Sequence, residues 1–369
     1  YAFFAVAAIW FLLICYLRSR IQLALAIVKE AAKSIAAMPL IILFPVMQCA
    51  AFVIFMVIWM IYAVYLASLG EPQETGLCPA NALLITQTTC EAANEVWIKY
   101  QDFVYNEEQT QMGWYLLFTY FWSSQFIIAV GQIVVAMCVA KWYFCRDKSS
   151  ISSGTVFQSI KDSMYYHTGT AAFGSLIIAI IKMIRAAIAY AQKKAKQSGS
   201  KVAQAVLCAL QCYMWCMEKC MKFLNKNAYI QTAIFGTHFC ASAKNAFFLI
   251  LRNIARIGAC TIVSEFVMII GKMFICSVTG GCAYFLMDQA AELDLYYIYA
   301  PVTMVMILSW FVASMFMNIF GMAISTILQC FVADEEMFDA GTRFADAELA
   351  SFIDANGSPE PTKGEDNTL

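Results

Sequence analysis

Cys208, Cys212, Cys216 and Cys220 recur every fourth residue through one stretch of the chain. Cysteines bind a single zinc ion only when their sulfurs converge on it at about 2.3 Å. On a helix rising 1.5 Å per residue, the first and last of these four stand roughly 18 Å apart. They cannot share one ion, and a thiol face used for packing or for an attached lipid fits the spacing better. The chain has two histidines, His167 and His238. That is little material for an imidazole metal site or a His-based triad. The sequence contains no phosphate-binding glycine loop, dinucleotide fingerprint or HExxH pattern. The residues therefore favour no enzyme class, and neither a metal nor an organic cofactor is expected. His167, just before Gly169, reads as a capping or packing residue.

Two sets of residues suit a different chemistry, the binding of an organic cation. The stretch that opens Trp114-Tyr115 continues as Tyr120-Phe121-Trp122, with Gln125 about one turn on. Aromatic faces hold quaternary ammonium groups through cation–π attraction of about 0.5–2 kcal/mol per ring. Trp114 and Tyr115 are explained by the membrane interface, where amphipathic rings collect. Tyr120, Trp122 and Gln125 lie deeper and are the candidate substrate contacts. Glu265, between Ser264 and Phe266, is the acid most clearly inside an apolar run. Two readings of it stay open: an acid that faces a cavity or a partner, as intramembrane ionisable groups usually do, or an interfacial anchor near a helix end.

These residues must be held by elements that live in lipid. The 369 residues are 62% hydrophobic and 13% charged, with a mean hydropathy of +0.67, whereas a soluble domain is about 25% charged. Crossing a hydrocarbon core of about 30 Å takes roughly 20 helical residues. Five runs qualify: Tyr1–Leu17, Leu40–Leu69, Trp114–Trp142, Ile257–Met287 and Ile298–Val332. Ala171–Tyr190 is long enough but carries Lys182 and Arg185, and Val202–Leu224 is amphipathic. Pro39 and Pro45 predict a kink at the start of the second run. No alternation of apolar and polar residues argues for strands. The fold class expected is all-α: a polytopic transmembrane helical bundle with amphipathic helices at the cytoplasmic face. One of these is Arg18–Ala37, with Ile21, Leu25, Val28 and Ile35 on its apolar side. A plain extension of the first span is the alternative. Because the sequence opens at Tyr1 inside an apolar run, it is expected to start partway through a longer protein.

Charge orients the spans. Residues 334–369 hold ten acids and two bases, leaving 22 bases against 15 acids in residues 1–333. Short cytoplasmic segments are rich in Lys and Arg. Arg18, Arg20, Lys29 and Lys33 place the segment after the first run inside. The loop Gly70–Met112 has Lys99 as its single base and belongs outside, and Lys141, Arg146 and Lys148 mark the return. Two regions follow: a transmembrane part, 1–333, and an acidic cytoplasmic tail, 334–369. The two uncertain stretches must both cross or both not cross, so five or seven spans are possible. Lys193, Lys194, Lys196 and Lys201 between them favour five. Cys78 and Cys90, the cysteines of the outer loop, lie where oxidation is permitted and are expected to form a disulfide.

Four long stretches carry a resemblance. They are IQLALAIVKEAAKS between Arg20 and Ile35, HTGTAAFGSLIIAIIKMIR between Tyr166 and Ala186, CMEKCMKFLNKNAYI between Trp215 and Gln231, and CASAKNAFFLILRNIAR between Phe239 and Ile257. With Glu265–Lys272 and Leu328–Met337, they make the chain similar to the choline transporter-like family over most of its length. The resemblance implies a ten-span solute carrier for choline or a related amino-alcohol cation, of which about three spans would precede this chain. That arithmetic points to seven spans here rather than five. It implies a lipid bilayer and a small organic cation as partners, further membrane proteins as possible ones, and no nucleic acid. A non-transporting structural subunit of a larger membrane assembly is the alternative function.

Overall fold

The computed structural model describes residues 18–77, 98–197, 199–289, 298–339 and 342–345. Among them are nine α-helices: α1 (Arg18–Ala37), α2 (Phe44–Ser68), α3 (Glu107–Tyr143), α4 (Gly154–Tyr166), α5 (Thr168–Gln197), α6 (Lys201–Phe235), α7 (Phe239–Arg252), α8 (Ile254–Gln289) and α9 (Tyr299–Met337). A 3-10 turn at Pro39–Leu43 leads into α2, with Pro39 at its first position, where a missing N–H costs nothing.

Five helical segments are long and apolar enough to cross a membrane: Pro39–Ser68, Glu107–Tyr143, Thr168–Lys196, Ile254–Gln289 and Tyr299–Met337. Four of the runs read from the sequence lie in or across these segments, and the Tyr1–Leu17 run lies outside the described residues. Thr168–Lys196 contains Ala171–Tyr190, the stretch that its charges argued against. α6 and α7 pass the same test only together, bent by 108° at their junction as a broken span or a re-entrant loop. Gly236, at φ +69°, ends α6 in a conformation that side-chain-bearing residues rarely adopt.

Strands are present where none were expected. β1 (Glu71–Leu77) pairs antiparallel with β2 (Ile98–Val104), in register from Glu71 opposite Val104 to Leu77 opposite Ile98. Neither strand alternates cleanly, so pairing is driven by bringing the two ends of a loop together. Tyr105 donates to the Ala67 carbonyl at 3.2 Å and Gln109 Nε2 to the Leu69 carbonyl at 3.0 Å, tying the end of α2 to the start of α3. Asn106 caps α3: its Oδ1 accepts from the Gln109 N–H at 2.8 Å while Gln109 Oε1 accepts from the Asn106 N–H at 2.9 Å. Glu107 and Glu108 then complement the positive end of the helix. Cys78 and Cys90 fall outside the described residues.

The chain divides into two compact units. One comprises Tyr1–Gln48, Phe126–Ser175 and Lys219–Leu369, the other Cys49–Gln125 and Leu176–Glu218. In the first unit, α8 and α9 pack along each other and both touch α1. Residues bury small side chains at these crossings, as membrane helices do when backbones approach closely: Met268 lies over Gly321, where an added Cβ would sit 2.5 Å from its sulfur. The buried face of α1 is Ala24, Ile27, Ala31 and Ser34. Leu25, expected on the apolar side, is 50% exposed, because the close packing takes the smaller residues.

Candidate functional site

In the second unit the aromatic stretch of α3 spreads over several faces, since successive helical residues point about 100° apart. Tyr120 packs on Trp59 of α2, ring centroids 5.2 Å apart. The Trp59 indole N–H donates to the Leu116 carbonyl at 2.9 Å, which fixes that ring one turn below Tyr120. Phe121 lies 5.6 Å from Tyr120 and carries the Lys182 ammonium of α5 at 5.6 Å from its centroid. The lysine that argued against a span thus rests on an aromatic face inside it. Gln125 is buried, one turn past Phe121. Trp122 is on another side, 5.9 Å from Phe118 and 37% exposed. Tyr120 is therefore grouped with Trp59 and Phe121 rather than with Trp122.

The other charge in this stretch of α5, Arg185, pairs with Glu218 of α6, a side chain only 6% exposed. A second lysine repeats the ring contact: Lys194 sits 5.0 Å from the centroid of Tyr190, whose ring meets Trp114 edge-on at 5.8 Å.

Glu265 belongs to the first unit and is exposed on α8, beside Ile262 and Phe266. Its electrostatic partner is Lys226 of α6, whose ammonium donates to the Gly321 carbonyl of α9 at 3.3 Å. α6 also carries a chain of buried amides: Gln231 Nε2 donates to Gln329 Oε1 at 3.0 Å, Gln329 Nε2 to Asn227 Oδ1 at 2.6 Å, and Asn227 Nδ2 to the Phe223 carbonyl at 2.7 Å. Asn225 Nδ2 donates to the Gly174 carbonyl at 2.7 Å. The Asn225 carbonyl oxygen and the Tyr229 hydroxyl are both buried and interact with each other, one turn apart on α6.

Sequence reasoning missed this polar centre and Glu218. A signal was available, since Asn227 and Gln231 are four residues apart and share a helix face. It was hidden because the amphipathic stretch read from the sequence, Val202–Leu224, stops short of Asn227 and Gln231. Also unanticipated is that the two histidines line one cavity of about 420 Å³, with Phe173 and Cys240, where α6 breaks into α7. No group of three metal-binding side chains forms among the described residues.

The family profile described as plasma-membrane choline transporter matches residues 1–336. The chain belongs to this family. Choline transporter-like protein 2 of Xenopus laevis is 32% identical over 376 residues, covering 95% of this chain and 53% of the relative. The human protein of that name is 32% identical over 351 residues, covering 89% and 49%. That of Dictyostelium discoideum is 32% identical over 355 residues, covering 95% and 53%. The chain thus spans about half the length of the curated relatives it matches, all of them named as transporters. Family and helices together make it a multi-pass integral membrane protein.

Proposed function

We propose that the chain forms membrane-embedded machinery of a transporter for choline or a related amino-alcohol cation, and that Trp59, Tyr120 and Phe121 provide the face on which the cation rests. The observation that carries the reading is the ammonium of Lys182 on the Phe121 ring, beside the Trp59–Tyr120 pair. The protein's own cation uses the contact that a trimethylammonium group would use. Family membership and the names of the relatives support the substrate class. Gln125 is the buried group available to a hydroxyl, and Trp122 an additional ring on the neighbouring face. Glu265 acts within its own unit by balancing the charge of Lys226.

Equilibrium binding of tritiated choline to the purified chain tests this. Each ring contributes about 0.5–2 kcal/mol, so Tyr120→Ala and Trp59→Ala should each weaken binding by roughly 2- to 30-fold. Substitution of exposed Tyr65 by alanine should leave it unchanged. Equal affinity in the wild type and both ring variants would remove the cluster from the substrate path.

A further inference from the structure

α7 has 14 residues. At 1.5 Å per residue that is about 21 Å, too short to cross a hydrocarbon core of about 30 Å. The side of α7 that meets the protein carries Phe239, Ser242, Ala246 and Leu249, all buried. The opposite side carries Cys240, Lys244, Phe247, Phe248 and Leu251, all exposed. With successive residues about 100° apart, these five fall within one sector of about 100°. Three large apolar side chains therefore share one outward face.

The bend of 108° between α6 and α7 is held from within. Thr232 of α6 donates to the Ser242 hydroxyl at 2.8 Å, and that hydroxyl donates to the Thr237 carbonyl at 3.1 Å. The ring of Phe239, the first residue of α7, packs on Phe173 of α5 at 5.3 Å and on Tyr229 of α6 at 6.0 Å. α7 is thus fastened by its inner side, and the outward face is left to whatever surrounds the protein.

Both ends of α7 lie at one membrane surface. Its last residue, Arg252, pairs at 3.4 Å with Glu336 near the end of α9, and α8 begins at Ile254, where Arg256 pairs with Glu335. Its first residues line the cavity of about 420 Å³ together with Tyr166 and His167, where α4 passes into α5. These places are joined to each other. Asp162 of α4 pairs with Lys141 near the end of α3 at 2.7 Å, and Tyr143, the last residue of α3, donates to Asp334 of α9 at 3.0 Å. α3 and α9 therefore end, and α5 and α8 begin, on the same side. Each of the four is long and apolar enough to cross a membrane, so that side is a membrane surface. A helix with both ends there lies along it. The outward face also continues into surface that meets acyl chains: beyond Leu251 comes exposed Ile254, and then, along the spanning α8, exposed Ile262, Phe266 and Ile270.

We propose that α7 is an interfacial helix, with Phe247, Phe248 and Leu251 inserted among the headgroups and upper acyl chains of one leaflet. The apolar face of such a helix sinks about 5–10 Å into the boundary between headgroups and chains. Lys244, on the same face, lays its stem along the apolar layer and turns its ammonium toward the headgroups. α6 alone is then the crossing element of the bent pair, and α7 anchors its end to the leaflet.

The test uses the full chain in phosphatidylcholine nanodiscs doped with phosphatidylcholine that carries a photoactivatable diazirine, either beside the ester or at the end of one acyl chain. Adducts are mapped by peptide mass spectrometry. Phe266 lies 12 residues into α8 from Ile254, about 18 Å deeper, and its peptide is the internal standard for contact with the acyl core. The ester-side probe is expected to label residues 247–251 about threefold or more above the chain-end probe, with the preference reversed around Phe266. Labelling around Phe266 with none at 247–251 from either probe would overturn the proposal, because water or protein would then cover the face. A chain-end preference at 247–251 equal to that around Phe266 would also overturn it, in favour of a helix that dips into the acyl core.

Discussion

Arg185 shows how a charge that argues against a membrane span can be consistent with one. Its guanidinium is satisfied by Glu218 from the next helix, and Lys182, three residues earlier, lies on Phe121. Burying one member of such a pair without the other is costly, whereas removing both together is much less so. Glu218→Gln should therefore destabilise the chain by about 3–5 kcal/mol, while Arg185→Met with Glu218→Met recovers most of the loss. Thermal unfolding in detergent reads both; equal losses in the single and the double variant would deny that the pair acts as a unit. His167 makes a pH-dependent prediction. Partial burial holds its imidazole below the usual range, against the opposing pull of Asp162. The folded state then binds fewer protons than the unfolded state, so stability falls as pH drops through about 6.5, the unfolded value, toward the lower folded one. His167→Gln should flatten that acid slope in melting curves taken between pH 7.5 and 5; an unaltered slope would assign it elsewhere. At this scale the sequence exposed single residues such as Glu265, which stand out against apolar neighbours. It concealed pairs, because Arg185 and Glu218 are 33 residues apart and only the packing of α5 on α6 joins them.

Elements were legible where length and hydropathy agree. The runs around Leu40, Trp114, Ile257 and Ile298 became α2, α3, α8 and α9, because a long apolar stretch has one low-energy form in lipid. The β1–β2 pair was not legible: Glu71-Pro-Gln-Glu-Thr carries no β-branched residue until Thr75, so its pairing reflects the loop closing on itself rather than local preference. The α6–α7 break was only half legible. Gly236 marks the end of α6, but a 108° bend is set by what the two helices pack against. Orientation rests on the lysines and arginines. An epitope inserted between residues 78 and 97 should be reached by antibody from the side opposite an epitope appended at Leu369. Access to both from the same face of sealed vesicles would invert the loop assignment.

For the whole molecule, four sequence stretches were enough to place the chain in its family, and the profile match over residues 1–336 agrees. What they did not reveal was the division of labour in the folded chain. Trp59, Tyr120 and Phe121 form one cluster in one unit, and the other holds a buried amide chain of Asn227, Gln231 and Gln329 and the pair of Lys226 with exposed Glu265. Each set combines residues from different helices, and periodicity along a single helix carries no information about which helices meet. The central proposal is that this chain forms membrane-embedded machinery of a transporter for an amino-alcohol cation. The most direct measurement is uptake of radiolabelled choline into proteoliposomes holding the purified chain, with insertion verified by protease protection. Saturable uptake above protein-free vesicles is predicted, competed by excess unlabelled choline and reduced by Tyr120→Ala and Glu265→Gln. Uptake no faster than that of protein-free vesicles, by chain shown to be inserted and folded, would contradict the account.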